Sequence, residues 1–505
     1  KQSFYRPFQK VAGEERQETP ERAVIASRPL YKYNNPSCEL SITFLERHMN
    51  CQRCLYLLVA SILSAFGASA APPNIVMIIS DDQTWTDYSC MGHPDIQTPH
   101  LDRLASKSAM FRRGYVPIAL CRPSLATMIN GLYPHQHGIT GNDPARDRSL
   151  TNEQYSALRE RLIAKIDQQP TVPTLLAKQG YLSYQCGKWW EGNFRRGGFT
   201  HGMTRGFPQK GGRHGDDGLD IGREGMEPVL EFVDMAVTEK KPFFVWYAPF
   251  LPHTPHNPPE RLLKNYQQPG RHISLAKYYA MCEWFDETCG TLINHLDKAG
   301  VAENTMIVYV TDNGWIQRTP DVTVPEGWKP SFAPKSKQSP NEGGTRTPIM
   351  VSWPAHIKPS DRSEVVSSID LVPTMLKAAG AEVPANLPGI DLLPVVTDQK
   401  PLGRDVLYGE SFAHDVADVD NPEASLLYRW AIKGKWKLLL TYDGKVVSYT
   451  AVHLREEKRP QLFDLLADPA ETENLAAQNP KVVAELAATL DAWWKVKERK
   501  VQTTF

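Results

Sequence analysis

Two pairs of oxygen-bearing side chains and one cysteine are the residues of this chain best suited to chemistry. Asp81-Asp82-Gln83 follows the apolar run Ile75-Val76-Met77-Ile78-Ile79, and Thr311-Asp312-Asn313-Gly314 follows Met306-Ile307-Val308-Tyr309-Val310. Adjacent carboxylates at a strand end are costly unless water or a cation neutralises them. Either dipeptide alone reads first as a turn with an Asx cap. Together, three carboxylates and an amide oxygen suit a hard divalent ion such as Ca2+. Between them in sequence stands Cys121-Arg122-Pro123-Ser124-Leu125-Ala126-Thr127-Met128-Ile129-Asn130-Gly131, a helix with a cysteine at its mouth. Unpaired N–H donors and the positive dipole end favour an anion there. Pro123 suits the first turn, where its missing N–H has no intrahelical partner.

Positioning these groups requires strands that end at one edge. A continuous apolar run such as residues 75–79 reads as a strand buried on both faces of a parallel sheet. Pro242-Phe243-Phe244-Val245-Trp246-Tyr247 and Pro348-Ile349-Met350-Val351-Ser352 read as further strands, with helical segments between. Thr98-Pro99-His100-Leu101 opens one of those helices, with Thr98 as its cap. The alternation predicts an α/β fold: a large mixed, mostly parallel sheet with helices on both faces. In such sheets ligands bind beyond the C-terminal strand ends. Past residue 400 the pattern changes to short alternating strands around Tyr428, Trp436 and Leu462, then an amphipathic helix from Pro480. That predicts a small C-terminal antiparallel sheet with one covering helix. The Gly- and Arg-rich stretch 195–225 is expected to form an ordered loop over the site.

At 505 residues the chain can bury a large core. Its 57 basic residues balance 57 acidic ones, which gives no support to nucleic-acid binding. Met49-Asn50-Cys51-Gln52-Arg53-Cys54 opens an apolar run, residues 55–66, that ends in Ala68-Ser69-Ala70. This order of basic start, apolar stretch and small-residue cleavage site reads as a secretory signal, and the run is too short for a membrane span. The expected organisation is therefore an upstream extension (1–48), a signal peptide (49–70), a catalytic domain (71–400) and a C-terminal subdomain (401–505). Export to a periplasmic or extracellular compartment follows. Without residues 1–70 the chain carries five cysteines, Cys90, Cys121, Cys186, Cys282 and Cys289. An odd number leaves at least one for a task other than a disulfide.

The helix-mouth segment and its continuation Leu132-Tyr133-Pro134 resemble the signature of the type I sulfatases in the alkaline-phosphatase-like superfamily. The resemblance extends over nearly the whole chain after residue 70. Asp81, Asp82, Asp312 and Asn313 match the family's metal ligands, with residue 121 as the remaining one. Gly187-Lys188-Trp189 and Pro252-His253-Thr254-Pro255 match two further elements, and Glu342-Gly343-Gly344-Thr345-Arg346-Thr347-Pro348 a third. Lys337 falls where the second sulfate-binding lysine lies, with Lys335 as the alternative. Asp464-Leu465-Leu466-Ala467-Asp468-Pro469 through Asn474-Leu475 resembles the family's C-terminal element. The resemblance implies that Cys121 is converted to formylglycine by the formylglycine-generating enzyme and that a cation, Lys188 and Lys337 neutralise the sulfate oxygens. His253 would take a proton from the nucleophile's second hydroxyl or give one to the leaving oxygen. The implied substrate is a sulfated saccharide.

Two positions depart from the pattern. The arginine expected four residues after the cysteine is Leu125, and Arg122, on nearly the same helix face, is the residue that can replace its charge. The histidine expected two after Lys188 is Trp190, which offers either a packed wall or a stacking surface for a sugar, with Arg195 nearby. Two other readings stay open: a phosphate or phosphonate ester hydrolase of the same superfamily, and a glycan-binding homologue without catalysis.

Overall fold

The computed structural model describes residues 71–443 and 457–505. The upstream extension and signal segment expected at 1–70 lie outside the described residues. Residues 71–505 form one compact unit.

The large sheet is built from β1 (Asn74–Ser80), β2 (Ala109–Tyr115), β4 (Leu182–Gly187), β5 (His201–Gly202), β6 (Phe243–Ala248), β7 (Thr305–Thr311), β8 (Arg346–Ser352) and β9 (Ser360–Ser367); β3 (Asp143–Pro144) pairs elsewhere, with residues 415–416. The spatial order is β5-β4-β6-β1-β7-β8-β2-β9. β4, β6, β1 and β7 run parallel. β8 runs antiparallel to both β7 and β2, and β2 runs parallel to β9. This reversal has a useful result. Thr311 ends β7 at the same edge where β8 begins, and Tyr115 pairs with Arg346 there. The segments after β1, β2, β4, β6 and β7 and the segment before β8 therefore all emerge along one edge.

The alternation of β1 explains its central place. Ile75, Met77 and Ile79 enter the core on one face, while Val76 and Ile78 enter the core on the other. Helices α1 (Pro99–Ser106), α2 (Cys121–Asn130), α3 (Glu227–Thr238), α4 (Ile273–Lys298) and α5 (Leu371–Ala378) cover the two faces. Thr98 precedes α1 as expected, but its hydroxyl pairs with Ser89 and Asp102 instead of capping. The cap comes from another helix: Asp286 of α4 accepts the N–H groups of His100 (3.0 Å) and Leu101 (2.7 Å). The small sheet, in the order β10 (Leu407–Phe412), β12 (Leu426–Lys433), β13 (Trp436–Thr441), β14 (Gln461–Asp464), is antiparallel, with β11 (Asp415–Val416) outside it. Helix α6 (Pro480–Trp493) packs Val483, Leu486, Ala487 and Leu490 into a shared core with Leu438, Leu440 and Leu462. Among the described residues all five cysteines are free thiols, and no helix is long and apolar enough to cross a membrane.

Candidate active site

Each functional side chain except Lys337 sits one to six residues beyond a strand on the common edge, and Lys337 lies in the segment that leads into β8. Asp81 and Asp82 follow β1, and Asp82 turns the chain with φ at 65°. Gly187, the last residue of β4, aims Lys188 inward. It has φ at 88°, and a Cβ there would lie 1.8 Å from the Ala248 carbonyl oxygen, so only glycine fits. The carbonyl of Ala248 accepts the Lys188 N–H at 2.7 Å, which ties the lysine to the end of β6. Gly314 is packed as tightly against Gly343, and its N–H bonds the Gly344 carbonyl at 2.8 Å. The Glu-Gly-Gly turn is thereby locked to the Asp-Asn turn. Cys121 begins α2, as expected from Pro123.

These elements bring the predicted residues together. One ligand atom from each of Asp81, Asp82, Cys121 and His253 lies within 4.8 Å of the other three. Lys188 Nζ donates to Asp81 at 2.6 Å and lies 3.9 Å from Asp312. Lys337 Nζ bridges both Asp82 oxygens at 2.7 Å. Asp312 Oδ1 accepts the N–H of Asp82 (3.1 Å) and of Asn313 (2.6 Å), and Asn313 Nδ2 donates to Asp82 at 2.7 Å. Lys337, not Lys335, is the second lysine of the cluster; Lys335 donates instead to the Glu471 carbonyl.

His253 is oriented by its backbone neighbour. Its Nδ1–H donates to the Thr254 carbonyl at 2.6 Å. That leaves Nε2 as the acceptor, 3.4 Å from Lys337 Nζ and 3.3 Å from Asp82. Burial and the Lys188 charge hold this imidazole well below its ordinary pKa, so it is a neutral proton acceptor. Burial pushes the Cys121 thiol up to about 12 against the pull of both lysines. As a thiol it is protonated and a poor nucleophile.

The cluster is short of positive charge. Burial pushes the Asp81 carboxyl well up, more than Lys188 holds it down. Asp82 is also buried, but Lys337, His253 and Lys188 together hold it below the usual carboxylate range. Asp81 Oδ2, Asp312 Oδ2 and Asn313 Oδ1 are buried oxygens with no hydrogen-bond partner. Orphaned buried oxygens on three converging residues are what a hard cation would satisfy. The donor set fits such an ion.

The other expected site residues fall elsewhere. Arg122 is buried, but its guanidinium is turned to Glu191 (2.8 and 2.6 Å) and the Asn142 carbonyl (3.0 Å), away from the carboxylate cluster. It is paired in full and supplies no spare charge in place of the absent arginine. Leu125 packs in the core. Trp190 is 4% exposed, with Lys188 Nζ 5.3 Å from its ring, so it is a wall behind the lysine and leaves no open face for a sugar. Arg195 is exposed and lies over the Phe194 ring, without a contact to the cluster. Conversely, Phe250 and His214 went unnoticed in the sequence. Phe250 stacks on His253 at 4.4 Å and has Lys188 Nζ 5.3 Å from its ring. Neither residue belongs to a motif. Only the position of Phe250 just past β6 could have singled it out.

This arrangement has counterparts. The sulfatase family profile matches residues 73–381, and one for the C-terminal part of N-sulphoglucosamine sulphohydrolase matches residues 336–497. The chain belongs to the sulfatase family. It is thus a sulfuric ester hydrolase by family membership. Human (Homo sapiens) arylsulfatase A is 28% identical over 87% of this chain and 90% of its own length. Rat (Rattus norvegicus) N-acetylgalactosamine-6-sulfatase is 27% identical over 82% of this chain and 84% of its own. The structure of BT4656 in complex with its substrate D-glucosamine-2-N,6-O-disulfate shares the fold, with a TM-score of 0.59 and 21% identity over 84% of this chain and 98% of that one.

Proposed function

We propose that this sulfatase is exported and removes sulfate from a sulfated glycan, using formylglycine made from Cys121 and one Ca2+ ion. The observation that carries the reading is the convergence of Lys188, Lys337 and His253 on Asp81 and Asp82, next to unpartnered oxygens of Asp81, Asp312 and Asn313 and to residue 121 at a helix mouth. Asp81, Asp82, Asp312, Asn313 and residue 121 would hold the ion, which would add charge opposite the sulfate oxygens. Formylglycine, once made by the formylglycine-generating enzyme, would supply a hydrated aldehyde whose oxygen displaces the alcohol from sulfur. Lys188 and Lys337 neutralise the transferring group within a buried site, where fixed charges act most strongly. His253 Nε2, unprotonated and facing the cluster, would accept the proton of the hydrate's second hydroxyl as the aldehyde re-forms and sulfate leaves. The glycan is favoured by relatives named for hexosamine sulfates, and export by the signal-like stretch at 49–70.

The test is protein from a host able to make formylglycine. Hydrolysis of an aryl sulfate and not of an aryl phosphate is expected, together with an aldehyde at residue 121 by mass spectrometry. Cys121→Ala should lower turnover by roughly 10⁴-fold or more, as loss of a nucleophile does. A preference for phosphate would replace the reading with a phosphomonoesterase. An unmodified thiol without turnover would reduce the site to sulfate-ester binding.

A further inference from the structure

The carboxylates and lysines of the site are buried, and the side chains bordering them that solvent reaches include three rings beside the Arg223 guanidinium. His253 is 19% exposed along its side chain, and Phe250 and His214 are half-buried. They form a row: His214 lies 5.6 Å from Phe250, which lies 4.4 Å from His253. His214 also lies 5.4 Å from Trp190, so it shares with Phe250 and Trp190 the apolar packing around Lys188. An ester whose sulfate lies at Lys188 has this row beside its alcohol portion.

The loop holds His214 in place from both sides. Arg213 pairs with Asp143 at 2.7 Å. Asp216 accepts the N–H groups of Arg205 (3.0 Å), Gly206 (2.7 Å) and Asp217 (2.8 Å). The His214 carbonyl accepts the Trp189 N–H at 3.1 Å, one residue beyond Lys188. Its Nδ1, by contrast, is a buried ring nitrogen with no partner. The backbone is pinned while the half-buried ring makes no hydrogen bond of its own, so a turn of the imidazole that brings the unused nitrogen to the open side, beside Lys188, furnishes it for a ligand's hydrogen bond.

We propose that His214 is a specificity-determining residue whose imidazole hydrogen-bonds a hydroxyl on the alcohol portion of the sulfate ester as it rests on Phe250 and His253. The inference rests on the sulfate-ester reading above. Burial and Lys188 hold His214 down to about 3, which keeps the ring neutral at any working pH. A neutral ring suits a sugar hydroxyl better than a second anion.

The experiment compares a 6-sulfated hexosamine with an aryl sulfate that lacks hydroxyls. In His214→Ala the ratio of kcat/KM for the two should fall about 10-fold, the loss of one hydrogen bond of roughly 1.4 kcal/mol. His214→Gln should restore part of it. An unchanged ratio, whether both substrates weaken together or neither does, overturns the proposal and makes the residue a packing element. Should the wild-type protein cleave neither ester, the parent reading fails. Calorimetry then decides the inference separately. His214→Ala should weaken binding of the sulfated hexosamine about 10-fold and leave inorganic sulfate unchanged, and equal effects on both would overturn it.

Discussion

Two clusters of buried charge stand a few residues apart in this fold, and they are balanced differently. In the first, Asp81, Asp82 and Asp312 face Lys188 and Lys337, with three oxygens left without partners. In the second, Lys437 of β13 lies 3.0 Å from Glu342 and 3.1 Å from Glu471. Tyr115 donates to Glu342 at 3.0 Å, the Glu342 N–H donates to Glu471 at 2.7 Å, and Arg346 lies 3.6 Å from Glu342. Two carboxylates there meet two cations, and the one oxygen without a hydrogen bond, Glu471 Oε1, still has Lys437 Nζ at 3.1 Å. The second cluster joins the small sheet to the Glu-Gly-Gly turn, and so to Gly314 beside Asp312 and Asn313. Burial alone therefore does not mark a functional charge. The mark is a deficit, oxygens gathered in excess of the protons and cations the chain supplies.

The comparison can be broken most forcefully at Lys437. Lys437→Met leaves two glutamates buried without their cation and should cost about 3–5 kcal/mol of unfolding free energy in urea titration. A loss below about 1 kcal/mol would mean that the cluster is not a clamp. The next effect is the response to a cation. Calcium at 100 times its Kd should stabilise the native protein by about 2.7 kcal/mol. Asp312→Asn should abolish most of that gain while being no less stable than wild type in chelator, because the amide oxygen still accepts the two backbone N–H groups. Equal calcium responses in both proteins would remove the deficit argument.

The smallest effect belongs to a buried group outside both clusters. His137 Nδ1 accepts the Ile139 N–H (3.1 Å) and its Nε2–H meets the Thr127 hydroxyl (3.2 Å), so the ring fits only when neutral. Burial holds it down to about 3, below its ordinary value of 6.5. Between those values the unfolded chain binds the extra proton and the native state does not. Stability is therefore full above about 6.5 and falls as pH drops, by at most roughly 1.4 kcal/mol per pH unit. His137→Gln should flatten the urea-midpoint profile between pH 6.5 and 5. An unchanged slope would assign the acid response to other buried groups, His214 and His253 among them.

Much of the fold was legible because its strands are continuous apolar runs. The C-terminal ends of β1 and β7 could be placed from Ile79 and Val310, with the candidate metal-binding carboxylates just beyond them. The direction of β8 was not legible, since a strand buried on both faces reads the same either way. Yet that reversal is what brings the Glu-Gly-Gly turn to the site. Cys121, Lys188 and His253 stood in short motifs in a fixed order, whereas Lys337 and Lys335 were equal candidates until the structure placed Lys337 on Asp82. Arg122 was misjudged because helix periodicity gives a residue's face but not its partner, and Glu191 lies on a different segment. His214 was invisible for the same reason. Its neighbours Trp190 and Phe250 are brought to it only by the fold.

The position of Cys121 also sets an order of events. The residue is 2% exposed, under a finished helix and behind two engaged lysines. No second protein can reach its sulfur once β2 and α2 are in place. Any enzyme that modified that side chain would have to meet this segment before it folds, in a race between modification and folding.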